Sequence, residues 1–355
     1  MGNTDTNIIF LGDISLNNGY RDMKSPFKNI IHEFAKTDWV VGNLESLLKG
    51  DEGFDLKKKP YLYSEKKAFS HLLSLKLNLV STAHNHVFDN FDSGYNKTIN
   101  FLEANNIDYI GSSYKRKKNN FLIEKNICNK SFTFLNYCHP DTNYNKKNTT
   151  NINLSVYDNK QIIQDIEKSK KESNYIILLL HWGGISDYGY FPSKYQVTDA
   201  KSFIDAGADV IMGHHSHCIQ PIQYYKNKPI IYSLGNFCFD TIISHNKEHA
   251  IRKSGNEGLV VKILFTDNDI NLKIIGIKNK GLLLHISKKV FFKILLLNNF
   301  FKLFYRFDFI YDLNRFYLKH IEPKIFYIEQ SEKNMWQMVI SFRISKIIRF
   351  IKFKK

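Results

Sequence analysis

Cysteine is scarce in this chain, and its spacing argues against two kinds of site. Four cysteines occur among 355 residues, and no two of them form a C-x-x-C pair. A zinc site built on cysteine pairs is therefore disfavoured, and nothing indicates a disulfide framework. This leaves histidine and oxygen side chains as candidate metal ligands. The four cysteines are Cys128, Cys138, Cys218 and Cys238.

Long apolar runs are also missing. The longest candidate, ILLLNNFF at 294–301, is flanked by Lys293 and Lys302. A helix that spans a bilayer needs roughly 18 uncharged apolar residues, which no stretch approaches. The first residues, MGNTDTNIIF, lack the basic segment and apolar stretch of a secretory signal. We therefore expect a protein that is cytoplasmic or peripherally associated with a membrane.

Positive charge is concentrated at the C-terminal end. Residues 285–355 contain 15 Lys and Arg against 5 Asp and Glu, so this segment carries +10 of the formal charge of +16. It is also rich in aromatic residues, and 336–351 places apolar residues on one helical stripe. Two interpretations stay open. The segment binds an anionic membrane or polymer as an interfacial helix, or it caps the main domain and its stripe is ordinary core.

Short apolar runs alternate with amphipathic segments through the first 280 residues. Helical periodicity is present at 27–36, 66–77, 94–106 and 158–173. This alternation predicts βαβ units and a largely parallel, buried sheet. The Asn- and Lys-rich stretches 115–120 and 143–151 are interpreted as surface loops. Residues 241–258 are interpreted as a loop before two further strands, with His245 and His249 facing solvent.

Polar residues follow six of these apolar runs, where the carboxyl ends of strands would lie. In parallel sheets such ends form the ligand site. One or two buried histidines would be explained as core residues, but six polar run ends indicate a metal site. In GADVIMGHHSH, His215 and His217 would share one face of extended backbone. The polar residues at the six ends are Asp13, Asn43 with Glu45, His84 to His86, His181, His215 with His217, and Asn236.

Carboxylate, amide and imidazole groups in this combination are suited to two metal ions. Two ions about 3.5–4 Å apart can clamp the attacking and leaving oxygens of a displacement. The mixture of nitrogen and oxygen ligands without thiolates favours Mn, Fe or Zn over Ca.

The order G-D, G-N-L-E, N-H-x-x-D, H-W-G, G-A-D-V-I-x-G-H-H-x-H and Y-S-L-G-N-F resembles the CapA family of capsule and poly-γ-glutamate synthesis proteins. The resemblance covers about residues 7–240. It implies an α/β fold of the calcineurin-like metallophosphoesterase type, an αββα sandwich, here with an α-helical C-terminal extension. We expect a metallophosphoesterase-like domain at 7–280 and a basic, aromatic-rich helical extension at 285–355.

The resemblance also implies roles for individual residues. His86 corresponds to a general acid, which Asp89 would orient. Asn43, Asn236 and His84 would contact substrate or the ligands. His214 is assigned to the same group, because only one residue beside His217 fits the same-face argument and His215 is preferred. The implied metal ligands are Asp13, Glu45, Asn85, His181, His215 and His217.

Several positions depart from the family pattern. Asn-Asn-His is usual where this chain has His84-Asn85-His86, and a Glu often follows H-W-G where Gly184, Ile185 and Ser186 stand. Asp187 would replace that Glu only through a shifted loop, and Ser216 stands where proline is usual. These changes leave the metal ligands intact and alter the substrate contacts.

Three functions are compatible with this sequence. The first is a metal-dependent hydrolase or transferase of capsule or exopolymer assembly, acting on a phosphoester or an anionic polymer. The second is a non-catalytic scaffold of a membrane-bound polymer-synthesis complex. The third is a phosphoesterase of nucleotides or nucleic acid, which the absence of an RNA-binding signature disfavours.

Overall fold

The computed structural model describes residues 5–53, 60–115, 120–144, 150–244 and 247–321. Its α-helices are α1 Lys66–Phe69, α2 Phe91–Ala104, α3 Asn159–Ser169, α4 Lys194–Ala206, α5 Lys288–Phe304 and α6 Asp308–Phe316. Its strands are β1 Thr6–Ile14, β2 Trp39–Leu44, β3 Leu79–Ser81, β4 Asp108–Ile110, β5 Ser112–Tyr114, β6 Leu122–Ile127, β7 Lys130–Cys138, β8 Ile152–Leu154, β9 Tyr175–His181, β10 Val210–His214, β11 Ile222–Tyr225, β12 Lys228–Ile231, β13 Asn236–Cys238, β14 Thr241–Ser244, β15 Lys247–Ala250, β16 Glu257–Phe265, β17 Ile270–Lys280 and β18 Leu283–Ile286.

Shorter helical turns connect these elements. The 3-10 helices are Asn18–Asp22, Ile31–Phe34, Ser70–Leu75, Pro140–Thr142, Gly184–Ser186 and Lys253–Asn256, and a π-helical turn spans Tyr317–Ile321.

Two mixed sheets form the centre of the molecule. The first has the order β18-β17-β16-β1-β2-β3-β4, and β13 also pairs with β1; the second has the order β11-β12-β10-β9-β7-β6. The strands β1 to β4 run parallel, as do β7, β9, β10 and β12. The remaining strands on these two paths are antiparallel to their neighbours. The expected parallel sheet is therefore present only at the centre of each of two sheets.

Alternation along the strands builds the layers. In β1, Ile8 and Phe10 face the second sheet, whereas Ile9 and Leu11 face the opposite side. The outer side of the first sheet packs on α1, α2 and their neighbouring 3-10 turns. The outer side of the second sheet packs on α3 and α4, through residues such as Ile166. The four layers form the αββα sandwich that the sequence predicted.

Two of the four predicted helices are confirmed, as α2 and α3. The segment 66–77 divides into α1 and a 3-10 helix, and α4 was not predicted. The helix predicted at 27–36 is wrong, because only Ile31–Phe34 is helical, as a 3-10 turn. The apolar residues that gave this segment its helical spacing, Phe27, Ile30 and Phe34, are nevertheless all buried. Tight turns bury these side chains without a continuous α-helix.

The segment 241–258 is more ordered than predicted. It contains the hairpin β14–β15 and the 3-10 helix Lys253–Asn256 rather than one loop. His249, which was expected to face solvent, is partly buried, and His245 lies outside the described residues. Most of the two Asn- and Lys-rich stretches, 116–119 and 145–149, also lies outside them.

Helices α5 and α6 pack against the sandwich. Val290 and Ile294 enter the core between the sheets, and Phe301, Ile310 and Tyr311 join the core on the outer side of the second sheet. This part of the basic extension therefore caps the domain, as one interpretation held. The apolar stripe predicted at 336–351 lies outside the described residues. Across the described ranges, no helix has the length and apolar character required to cross a bilayer.

Candidate metal centre

The predicted site residues lie at one edge of the sandwich, at or just beyond the ends of β1, β2, β3, β9 and β10 and at the start of β13. Asp13 at the end of β1 is paired in register with Asn43 on β2 and with Asn236 on β13. On the other sheet, His181 at the end of β9 is paired with His214 at the end of β10. The two sheets face each other, so these ends meet in one buried cluster.

The Glu45 carboxylate lies at the middle of this cluster. Its backbone NH donates to the Ile14 carbonyl at 2.9 Å, which fixes the chain just beyond β2. Its Oε1 atom lies 3.8 Å from His86 Nε2, 3.9 Å from His181 Nε2 and 3.7 Å from His217 Nε2. The side chain is fully buried. A buried carboxylate needs a positively charged partner, and a carboxylate surrounded by three imidazole nitrogens is an arrangement of side chains that can bind metal cations.

Two groups of potential ligand atoms share Glu45. The first consists of Glu45, His181 and His215, and the second of Asp13, Glu45 and His217; within each group the atoms lie within 4.8 Å of one another. A carboxylate common to two such groups would be available to ions held by either of them. The residues present therefore fit a dinuclear centre, with imidazole and carboxylate ligands suited to Mn, Fe or Zn.

Asn85 adds an oxygen to the first group. Its Oδ1 atom lies 2.9 Å from His181 Nε2, which is itself 3.1 Å from His215 Nδ1. All six residues predicted as ligands are thus brought together.

His86 faces the same cluster from the loop that follows β3. Its Nδ1 atom lies 2.6 Å from Asp89 Oδ2, and that oxygen also accepts the Leu62 backbone NH at 2.8 Å. The carboxylate of Asp89 therefore fixes the ring of His86 and directs Nε2 towards Glu45.

The four remaining predicted residues contact the ligands and their neighbours. Asn43 donates to Asp13 Oδ1 at 2.8 Å, and His214 Nδ1 lies 3.2 Å from the same oxygen. Asn236 Oδ1 lies 3.0 Å from His217 Nδ1, which turns His217 Nε2 towards Glu45. His84 Nδ1 accepts the backbone NH of His86 at 3.2 Å.

Burial and neighbouring charges set the protonation of the imidazoles. Burial, together with the adjacent histidines, holds the pKa of His181 well below its usual value. Burial likewise lowers the pKa of His215 to about 3. Both rings are therefore neutral at pH 7, as metal ligation requires. Burial opposes the charged form of His217, but Glu45, Asp187 and Asp13 outweigh it and raise its pKa to about 9.

The backbone of the histidine pair differs from the prediction. Extended geometry was expected for His215 and His217, but β10 ends at His214 and both residues have positive φ, 93° and 54°. Their rings converge through a tight turn, with centroids 5.8 Å apart. Positive φ is unfavourable for residues other than glycine and is concentrated at functional sites. The two rings therefore lie close together as predicted, but in a backbone conformation other than the extended one that the prediction assumed.

Sequence reasoning missed two residues beside His217. The Tyr188 ring lies 5.6 Å from the His217 ring, and the Arg252 guanidinium carbon lies 4.2 Å from the centre of the Tyr188 ring. Gly255 fits closely, since a Cβ there would meet Asn236 at 3.2 Å and Tyr188 at 3.4 Å. Tyr188 follows the H-W-G motif, which was a usable signal, whereas Arg252 lies in no motif. Burial raises the pKa of the neighbouring Asp187. The charges of His217 and Arg252 act in the opposite direction and lower it, but burial has the larger effect.

Comparison with known proteins shows which family the chain resembles. Residues 7–241 match the family model described as bacterial capsule synthesis protein PGA_cap. The PGA biosynthesis protein CapA of Bacillus subtilis is 27% identical over 253 residues, which cover 68% of this chain and 65% of the relative. The capsule biosynthesis protein CapA of Bacillus anthracis is 27% identical over 233 residues, covering 63% and 56%. A probable polyglutamine synthesis accessory protein of Mycobacterium tuberculosis is 26% identical over 221 residues, covering 59% and 57%.

The chain thus spans less than two thirds of the length of these relatives.

Two solved structures from Thermus thermophilus are also similar. A hypothetical protein has a TM-score of 0.48 at 12% identity, covering 76% of this chain and 98% of that one. A 5'-nucleotidase precursor has a TM-score of 0.45 at 13% identity, covering 82% and 58%. On the family match over residues 7–241, the chain belongs to the bacterial capsule synthesis protein family PGA_cap.

Proposed function

We propose that this protein is a dinuclear metal-dependent hydrolase or transferase of capsule or exopolymer assembly. Its substrate would be a phosphoester or an anionic polymer. The observation that carries the proposal is the pair of ligand groups that share the buried Glu45 carboxylate. The CapA relatives, which are named for capsule and PGA biosynthesis, support the pathway.

The metal ligands of this proposal are Asp13, Glu45, Asn85, His181, His215 and His217. Two divalent ions, Mn, Fe or Zn, would supply Lewis acidity at the reacting ester. The protein itself contributes a neutral imidazole pair, His181 and His215, and the buried Glu45 carboxylate, which is common to both ligand groups. Asn43 and His214 hold Asp13, and Asn236 holds His217, so these ligands need little rearrangement.

His86 is the proposed general acid. Asp89 holds its Nδ1 atom at 2.6 Å, so the proton to be transferred is the one on Nε2, which faces the cluster. From that position His86 would protonate the leaving oxygen. Arg252 lies on the ring of Tyr188, which is beside His217, and its positive charge near the centre suits an anionic substrate.

A second candidate is a non-catalytic component of a polymer-synthesis complex. The relative from Mycobacterium tuberculosis is named an accessory protein, which favours this alternative. In that case the metal site would be vestigial and the protein would not turn over a phosphoester. We also propose the division into a metallophosphoesterase-like domain at 7–280 and an extension at 285–355.

Metal analysis combined with turnover tests these alternatives. The purified protein, loaded separately with Mn, Fe or Zn, is assayed for bound metal and for hydrolysis of bis(p-nitrophenyl) phosphate. Two ions per chain with turnover support the enzyme, a chain without bound metal or turnover supports the accessory role, and turnover of nucleotides alone supports a nucleotidase. A chain that binds no metal contradicts the proposal.

The variant Glu45→Gln keeps the shape of the bridging side chain and removes its charge. We expect it to lose at least one of the two ions and most of the turnover. Glu33→Gln is the matched control, because Glu33 is a partly buried glutamate whose partner is Lys262. The control should bind metal like the unsubstituted protein.

A further inference from the structure

Helices α5 and α6 expose an unusually apolar surface on the side that faces away from the sandwich. Exposed large apolar side chains elsewhere in the described ranges are scattered, as at Leu73 and Val156. On these two helices they are concentrated, and Leu296 and Leu303 are 71% and 67% exposed. We call this surface the α5–α6 face. It consists of Phe292, Leu296, Phe300, Leu303, Phe307, Phe309, Leu313 and Phe316.

The α5–α6 face is continuous. Its residues on α5 recur at intervals of three and four, which places them along one side of the helix. Ring contacts join α5 to α6, since the Phe304 ring lies 4.7 Å from Phe300 and 5.6 Å from Phe309. The opposite side of α5 is core, where Val290 and Ile294 are buried. The exposed side is therefore a surface held rigidly by the core rather than a loose helix.

Positive charge accompanies this face. Lys288, Lys289, Lys302 and Arg306 on α5 and just beyond it are all exposed. Two acidic residues lie on α6, Asp308, which is paired with Lys194 at 2.6 Å, and Asp312. Aromatic rings with flanking ammonium and guanidinium groups are typical of proteins that lie at the boundary between lipid headgroups and acyl chains.

We propose that the α5–α6 face lies on an anionic lipid bilayer. The exposed leucines and phenylalanines would enter the headgroup boundary, and the basic side chains would contact lipid phosphates. A second copy of the chain fits less well, because a symmetric contact would bring Lys302 and Arg306 of both copies together. Anionic headgroups complement the same charges. This proposal concerns a surface away from the metal centre and does not depend on the proposed function.

Vesicle sedimentation of the full-length protein tests it. Vesicles of phosphatidylcholine with phosphatidylglycerol should bind the protein, pure phosphatidylcholine should bind it more weakly, and added salt should weaken binding. The double variant Leu296→Ser/Leu303→Ser should reduce partitioning by about tenfold or more, because two apolar anchors are lost. Leu73→Ser/Val156→Ser, which changes two exposed apolar residues elsewhere, should leave partitioning unchanged.

Thermal unfolding and metal content should be the same for both double variants, which would show that their folds are intact. Three results would overturn the proposal. One is full-length protein that does not bind the anionic vesicles, and another is equal binding by the two double variants. The third is a dimer in analytical ultracentrifugation that only the Leu296→Ser/Leu303→Ser variant abolishes, which would make the occupant a second copy.

Discussion

His86 has one ring nitrogen beside Asp89 and the other beside Glu45, and this determines how it can act. The contact to Asp89 is short, 2.6 Å, whereas the distance to Glu45 is 3.8 Å. A ligand would need its lone pair directed at an ion, but a proton donor needs only a fixed orientation and a proton on Nε2. The short contact to Asp89 provides that orientation.

The first prediction follows from this arrangement. We expect His86→Asn to leave the bound metal nearly unchanged and to lower turnover by roughly 100- to 10,000-fold, as for a lost general acid. Asp89→Asn should also lower turnover, because the ring loses the carboxylate that fixes its orientation. Metal content and initial rates on a phosphodiester measure both effects. Loss of metal from His86→Asn would identify the residue as a ligand instead.

Individual site residues were predictable because their types carry chemistry that is independent of conformation. Asp13, Glu45 and His181 each follow an apolar run, and strand ends are where such groups converge. Their partners were less predictable. Ser81 donates to Asn43 at 2.8 Å and Arg252 lies on Tyr188, yet neither is marked by a motif. The positive φ angles of His215 and His217 arise from tertiary contacts, which local sequence does not specify.

At the level of elements, apolar periodicity predicts burial more reliably than helix type. The apolar residues spaced at helical intervals in 27–36, Phe27, Ile30 and Phe34, are buried. The backbone there nevertheless forms turns and a 3-10 helix rather than an α-helix. Helix α4 begins with a capping box formed by Ser193 and Gln196, a signal that was present in the sequence and was not used. The C-terminal segment was compatible with capping the domain or with lying on a membrane, and the structure divides α5 between a buried and an exposed side.

The second prediction uses this division of α5. Ile294→Ala should lower the free energy of unfolding by about 2–5 kcal/mol, because it leaves a cavity between the sheets. Leu296→Ala, two residues away on the exposed side, should change it by no more than about 0.5 kcal/mol. Denaturant unfolding of the two variants gives the comparison. Equal effects of the two substitutions would show that α5 is not part of the core.

At the scale of the whole molecule, the two sheets create the centre jointly. Asp13 and Glu45 come from the first sheet, and His181 and His215 come from the second. The backbone NH of His215 donates to Asp13 Oδ2 at 3.3 Å, although the two residues are 202 positions apart. Alternating strands and helices predicted that polar ends would gather, but not that two sheets would share them. Strand order and sheet pairing depend on contacts between distant segments, which the local pattern does not encode.

The last prediction follows from this shared construction. Ions held by the proposed ligands between the two sheets would bind the folded chain and not the unfolded one, so they would stabilise it by an amount set by their concentration. At a metal concentration 100-fold above Kd, each site should add about 2.7 kcal/mol to the free energy of unfolding. Thermal unfolding with Mn or Zn, compared with chelator-treated protein, measures the difference. Glu45→Gln should show a much smaller shift, since one carboxylate serves both ligand groups, whereas Glu33→Gln should respond like the unsubstituted protein. An unchanged unfolding temperature in protein that demonstrably binds metal would mean that the ions lie elsewhere, outside the centre between the sheets.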